Sequence, residues 1–248
     1  MFFNLLSIKN IHPIYHLTTG LGSLLFLGLF LYQENKTKNA LLDLHLYKII
    51  NFRLANIGFF LFFLVNVGSR FLRPFYFEEV RALSTQESGA LMMVAPSIML
   101  LVSAYIDKLS KFFNTKQLVI TGNLLLCLSM WMFSLWDHQS DISFLIFSMI
   151  ILGLAMGVYY PSTTQIGMKS IPHQSSGMGS ASISISKSIG KLMGVLFFGI
   201  LFQFFLNYLW EVEELETLAR THSIQYVFVL ALIISLINSL LSFKIKAD

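Results

Sequence analysis

Long apolar runs alternate with short polar turns along the whole chain. A helix that crosses a hydrocarbon core about 30 Å thick needs about 20 mostly apolar residues. Seven runs reach that length, approximately over residues 14–33, 54–73, 88–106, 117–136, 142–161, 189–210 and 223–243. The pattern therefore predicts an all-α integral membrane protein with seven transmembrane helices, whose solvent is the lipid bilayer.

The composition of the chain supports this class and excludes several others. Apolar residues make up 55% and charged residues 12% of the 248 positions, which is not a soluble composition. The basic residues lie in short loops between apolar runs, so no nucleic-acid surface is expected. Cys127 is the single cysteine, the histidines are scattered, and no nucleophile or phosphate-loop motif is complete. We therefore expect no catalytic residues, no metal site and no cofactor.

The distribution of lysine and arginine predicts the orientation in the membrane. With alternating helices, one side carries ten of these bases and the other carries five. The richer side includes the turn with Lys108, Lys111 and Lys116 and is expected to be cytoplasmic by the positive-inside rule. The sequence thus predicts a multi-pass protein of the inner or plasma membrane with its N-terminus outside and its C-terminus in the cytoplasm.

One loop separates the first predicted span from the six that follow. Residues 34–53 are longer than the other connections and mix leucines with charges, as interfacial segments do. We predict a first unit over residues 1–53, containing one transmembrane helix and this amphipathic loop. A second unit over residues 54–248 would be a six-helix bundle.

Small residues and one proline indicate how the predicted helices pack and bend. Gly190 and Gly194 are four residues apart, as are Gly153 and Gly157, so each pair lies on one helix face and allows a second helix to approach closely. Pro96 removes a backbone hydrogen bond near the middle of its span, which predicts a bend. These five positions are candidate packing and hinge residues in a bundle that changes shape.

Three polar residues share one stripe of the second span. Asn66, Arg70 and Arg73 follow at intervals of four and three. Either the stripe lines an aqueous cavity and contacts substrate, as charges inside spans often do, or its arginines anchor the outer interface and pair with Glu78 or Glu79. Lys191, placed by the pattern near the cytoplasmic start of the sixth span, is a further candidate to face the cavity.

A short charged turn follows the third span. Asp107, Lys108 and Lys111 lie within five residues. The turn is either a solvated loop that sets orientation, or a gating cluster whose ionic partners change when the bundle moves.

Five segments occur in an order that is informative as a set. They are NALLDLHLYKIINFRLAN (39–56), PFYFEEVRALSTQESG (74–89), SAYIDKLSKF (103–112), GLAMGVYYP (153–161) and KSIGKLMG (187–194). Together they resemble the C-terminal half of the major facilitator superfamily, in particular its fourteen-helix drug:proton antiporter branch. The resemblance has departures: Ala82 stands where the family has glycine, Arg70 and Arg73 where it is usually apolar, and Lys191 where it is usually small.

The resemblance implies a function in transport. It suggests a linker helix followed by the C-terminal bundle of a multidrug-efflux-type permease that works by alternating access on a small amphiphilic substrate. Such permeases have two six-helix halves, so a separately encoded N-terminal half, or a second copy of the chain, would be the partner. The alternative is a non-transporting scaffold or sensor, or an inactive relic of a truncated transporter.

Proton coupling is not expected of this chain alone. The seven predicted spans contain no aspartate or glutamate, and coupling needs a group inside the membrane that gains and loses a proton. In the family that the chain resembles, such acids lie mostly in the N-terminal half.

Overall fold

Helices account for nearly all of the regular structure in the computed structural model, which describes residues 44–210 and 215–246. The predicted first span and the first half of the amphipathic loop, residues 34–43, lie outside the described residues. The predicted boundary between residues 53 and 54 stays a prediction. The described residues from His45 onward belong to one compact unit.

Six helices in the described ranges are long and apolar enough to cross a membrane. They are α1 (Ile50–Phe75), α2 (Thr85–Ala104), α3 (Thr115–Ser134), α4 (Ile142–Lys169), α5 (Ser176–Trp210) and α6 (Glu216–Phe243). Shorter helical turns are Leu44–Lys48, Tyr76–Val80, Ile106–Leu109 and His173–Ser175. The prediction of an all-α membrane protein is confirmed, and each of the last six predicted spans corresponds to one of these helices.

Successive long helices run in opposite directions, so the loops gather at two ends of the bundle. At one end, the acidic end, the Tyr76 hydroxyl donates to the carbonyl of Asp137 at 2.7 Å, and Arg220 pairs with Glu79. At the other, the basic end, the Asn51 amide donates to the carbonyl of Lys246 at 3.1 Å. The charge separation read from the sequence is therefore a separation in space.

Three observed helices are longer than the predicted spans, because the prediction took two prolines and a run of small residues as helix ends. α4 continues through Pro161 to Lys169, and α1 continues through Pro74 into the π-helical turn Tyr76–Val80. α5 begins at Ser176, thirteen residues before the predicted start at position 189. Proline and small residues break helices in water, but membrane helices tolerate them because neighbouring helices and side chains satisfy the freed backbone groups.

The longer helices also change where the acids lie. Glu78 and Glu79 belong to the helical turn at the end of α1, and Glu87 and Glu216 lie in the first turns of α2 and α6. These four acids lie outside the predicted spans, so the expectation that the spans contain no carboxylate stays a prediction.

α1 is the central helix, packed against α4, α5 and α6. Gly190 and Gly194 of α5 face its backbone, where an added Cβ would lie 2.5 Å from the carbonyl oxygens of Phe60 and Leu64 respectively. α2 packs mainly on α4, with Gly153 beside Ala95 and Gly157 beside Val102. Each of these helix pairs approaches at positions where a larger residue would collide.

Candidate functional site

A cavity of about 200 Å³ lies between α1, α2 and α4. Polar residues line it from α1 only, and apolar residues line it from the other two helices. The lining residues are Asn66, Arg70, Arg73, Met92, Met93, Ala95, Pro96, Leu152 and Met156. The structure therefore brings the predicted polar stripe and the predicted hinge proline to one space.

Two members of the stripe are buried. Asn66 is 1% exposed, and neither its amide oxygen nor its amide nitrogen has a hydrogen-bond partner among the described residues. Arg73 is 3% exposed. Buried polar groups are normally satisfied, so this amide retains the capacity to bind a ligand or water.

Arg73 is held by contacts with neutral groups. Its Nε donates to the backbone carbonyl of Ser69 at 3.3 Å. Its two Nη atoms donate to the Met149 sulfur at 3.3 Å and to the backbone carbonyl of Asn66 at 3.4 Å. The guanidinium carbon lies 5.5 Å from the centre of the Phe133 ring. These contacts orient the guanidinium without neutralising its charge.

No carboxylate pairs with Arg70 or Arg73 in residues 44–210 and 215–246. The described residues therefore do not form the alternative ion pairs, in which these arginines would bind Glu78 or Glu79. Glu79 pairs with Arg220, which also binds Glu216 at 2.8 Å. Arg70 is exposed at the cavity.

Lys191 does not line this cavity but lies beside the same stripe. Its Nζ is 5.1 Å from the centre of the Phe63 ring, and the Nζ of Lys187 is 4.1 Å from that of Phe59. Phe63 precedes Asn66 by three residues, so both occupy one face of α1. Because α5 starts at Ser176, Lys191 lies near the middle of a long helix, and the predicted position near the span's start is wrong.

The charged turn lies at the basic end. Asp107 and Lys108 belong to the short helix Ile106–Leu109, and Lys111 follows it; all three are exposed. The Nζ of Lys108 lies 5.1 Å from the Tyr105 ring centre, and none of the ion pairs in the described part of the chain involves Asp107. Its gating role stays a prediction.

Sequence reasoning missed the methionines of this region. Met92, Met93 and Met156 line the cavity, and Met149 contacts Arg73. Nothing in the sequence distinguishes them from lipid-facing methionines, because each lies in a continuous apolar run. Methionine is flexible and polarizable, so such a wall adapts to ligands of different shape.

Comparison with known proteins agrees with this architecture. The profile of the Major Facilitator Superfamily matches residues 5–195 and 108–247. The chain belongs to the major facilitator superfamily. The resemblance read from five segments is thereby confirmed, and the chain is a multi-pass membrane protein of a family of transporters. Because members of this family are transporters, membership supports the prediction that it is not an enzyme.

Three relatives show which members of this family the chain resembles. It is 27% identical over 189 residues to the riboflavin transporter RibZ of Clostridioides difficile, covering 76% of the chain and 41% of that protein. It is 24% identical over 178 residues to the multidrug efflux pump LfrA of Mycolicibacterium smegmatis, covering 72% and 35%. It is 26% identical over 223 residues to the probable transport protein HsrA of Haemophilus influenzae, covering 87% and 48%. The matched segment spans less than half the length of each of these relatives.

Proposed function

We propose that this chain forms the C-terminal wall of a small-molecule permease that works by alternating access. The second wall would be another six-helix half of the same family. Two such halves are related by an axis along the membrane normal, and the substrate path lies between them. The family and the fraction of each relative that is matched support this proposal.

The exposed face of α5 is the observation that carries the proposal. Ser184, Ser188 and Lys191 follow at intervals of four and three, so they share one face, and all three are exposed. A lysine facing lipid at the middle of a span costs about 2.5–3.5 kcal/mol. A protein partner or an aqueous path beside this face removes that cost.

The low burial of α2 and α5 also supports a partner or an aqueous path beside these helices. Only 17% of the most apolar stretch of α2 and 28% of that of α5 are buried, against 39–61% in the other four long helices of the described ranges. α5 packs against α1, and α2 lines the cavity together with the polar stripe of α1. The proposed path therefore runs along α1, α2 and α5, with Asn66, Arg70, Arg73 and Lys191 as its polar groups.

Outward transport of small amphiphiles is proposed from the names of relatives, several of which are multidrug efflux pumps or transporters. In this mechanism the turn containing Asp107, Lys108 and Lys111 would form ion pairs with the other half when the basic end closes. Coupling to protons would need an acid supplied by the second wall.

Site-specific photo-crosslinking in native membranes tests the proposal. A crosslinker at Ser188 on α5 should join this face to another six-helix half of the major facilitator superfamily, which mass spectrometry of the crosslinked peptides identifies. The matched control is Leu128 on α3, which is 40% exposed and should crosslink to lipid. Lipid adducts alone at both positions would contradict the proposal and favour a scaffold, sensor or relic.

A further inference from the structure

We propose that the cavity between α1, α2 and α4 binds the anionic end of an amphiphilic substrate, such as a carboxylate, a sulfonate or a phosphate monoester. This inference rests on the proposed function, because it names the class of substrate that the path would accept. It concerns binding by this chain, so it can be tested whether or not transport is observed.

The charge along α1 is the first argument. Arg70 and Arg73 line the cavity, and Lys191 and Lys187 lie over the Phe63 and Phe59 rings further along the same face of α1. Among the described residues, no carboxylate lines the cavity or pairs with these four cations. Charges within spans are normally paired, so the partner of these cations lies outside the described residues, and we take an anionic substrate to be that partner.

The geometry of the buried groups is the second argument. Arg73 donates only to neutral acceptors, namely two backbone carbonyl oxygens at 3.3 and 3.4 Å and the Met149 sulfur at 3.3 Å. An arginine that meets a carboxylate forms short, charge-assisted and often bidentate bonds instead. The Asn66 amide beside it is buried without a partner. Its nitrogen can donate to an anion that the guanidinium holds, so two different donors converge on one space.

The apolar wall supplies the remaining recognition. Met92, Met93 and Met156 lie opposite the polar stripe and present flexible side chains. An amphiphile would place its charge against Arg70 and Arg73 and its apolar body against these methionines. A cationic amphiphile would meet repulsion from both arginines instead.

Equilibrium dialysis with three naphthalene probes tests this. The full-length chain is placed in nanodiscs of phosphatidylcholine, and empty nanodiscs give the background partitioning. 1-Naphthoate is the anion, 1-naphthylmethylammonium the cation and 1-naphthalenemethanol the neutral probe. We expect saturable naphthoate binding at least about tenfold tighter than that of the cation, because only the anion can form charge-assisted hydrogen bonds with the arginines.

Variants assign the binding to the arginines. Arg73→Gln and, separately, Arg70→Gln should each weaken naphthoate binding, Arg73→Gln by about tenfold or more, while binding of the neutral probe stays the same. Arg70 is exposed, so its variant should fold even if the buried Arg73 variant does not. Lys169→Gln, which removes an exposed cation at the basic end, is the control and should bind naphthoate normally. Equal binding of the three probes, or naphthoate binding unchanged in Arg70→Gln together with a folded Arg73→Gln, would overturn the inference.

A lipid headgroup is the competing source of the same anion. Naphthoate binding that persists when phosphatidylglycerol replaces part of the phosphatidylcholine supports a soluble amphiphile. Displacement of naphthoate by phosphatidylglycerol would contradict it, because the cavity would then hold a lipid. The crosslinking result at Ser188 does not enter this experiment, so the two proposals can fail separately.

Discussion

Ala82 is the residue at which the backbone conformation conflicts with the side chain. Its φ angle is 51°, and it is the only non-glycine residue with positive φ in the described ranges. The residue follows the π-helical turn Tyr76–Val80 and precedes Ser84, which caps α2. The chain must reverse within a few residues here, and a left-handed residue accomplishes that reversal.

Ala82→Gly should therefore stabilise the protein. A left-handed conformation costs an alanine about 1–2 kcal/mol, and glycine adopts it readily. Allowing for the greater freedom of glycine in the unfolded chain, we expect the free energy of unfolding to rise by about 1 kcal/mol. Thermal unfolding in detergent micelles, followed by circular dichroism, measures the change.

Ala90→Gly provides the matched control for this variant. Ala90 is an exposed residue within α2, where glycine costs about 0.5–1 kcal/mol relative to alanine. The two variants should thus shift the unfolding midpoint in opposite directions. A lower midpoint for Ala82→Gly would show that the alanine is not strained.

At the scale of helices, α1 and α5 pack closely through glycines, as the spacing of Gly190 and Gly194 predicts. Gly190 and Gly194 face backbone atoms of α1, and Gly68 of α1 faces Phe198 and Gly194 in return. Close approach of two backbones through glycine is a common mode of helix association in membranes, where van der Waals packing replaces the hydrophobic effect. The same approach positions Lys187 and Lys191 over the aromatic rings of α1.

Gly190→Ala should disrupt this contact. The added Cβ would lie 2.5 Å from the Phe60 carbonyl oxygen, and because that atom is backbone it cannot rotate away. We expect a loss of about 1–3 kcal/mol in the free energy of unfolding, the usual cost of overpacking. The measurement is again the unfolding transition in detergent micelles.

Gly177→Ala is the control within the same helix. No atom lies within 4 Å of a Cβ added there, so the variant should be neutral or more stable by up to about 1 kcal/mol. If Gly190→Ala proved as stable as Gly177→Ala, the interface between α1 and α5 would not be as close as described.

For the whole molecule, the separation of charge between the two ends predicts orientation. The basic end carries Lys108 and Lys111, and the acidic end carries Asp137 and Asp141, all of them exposed. The positive-inside rule places the basic end in the cytoplasm. The orientation stays a prediction, which labelling from outside the cell can test.

Cysteine labelling in intact cells tests this orientation. In a Cys127→Ala background, Gln139→Cys at the acidic end should react with a membrane-impermeant maleimide. Lys111→Cys at the basic end should react only after the cells are permeabilised. Labelling of position 111 but not 139 in intact cells would reverse the predicted topology.

The sequence alone determined the class, the number of helices in the described ranges and their alternation. These follow from the length of apolar runs, because lipid leaves a backbone no partner except its own helix. It also named Asn66, Arg70 and Arg73 as one stripe, since residues three and four apart share a face in any helix. The ends of the helices could not be predicted from the sequence. Pro74, Pro161 and the small residues after Ser176 indicate helix ends, but in the folded bundle the neighbouring helices allow these segments to stay helical.

The tertiary structure alone decided what the stripe faces. Glu78 and Glu79 are near Arg73 in sequence and looked like its partners, yet Glu79 binds Arg220 of α6, 141 residues away. Likewise, Met92 and Met156 join the cavity from helices that the sequence does not place beside α1. Spacing along one helix specifies which residues share a face, but which helix lies opposite depends on packing between distant segments, and that is a property of the folded chain.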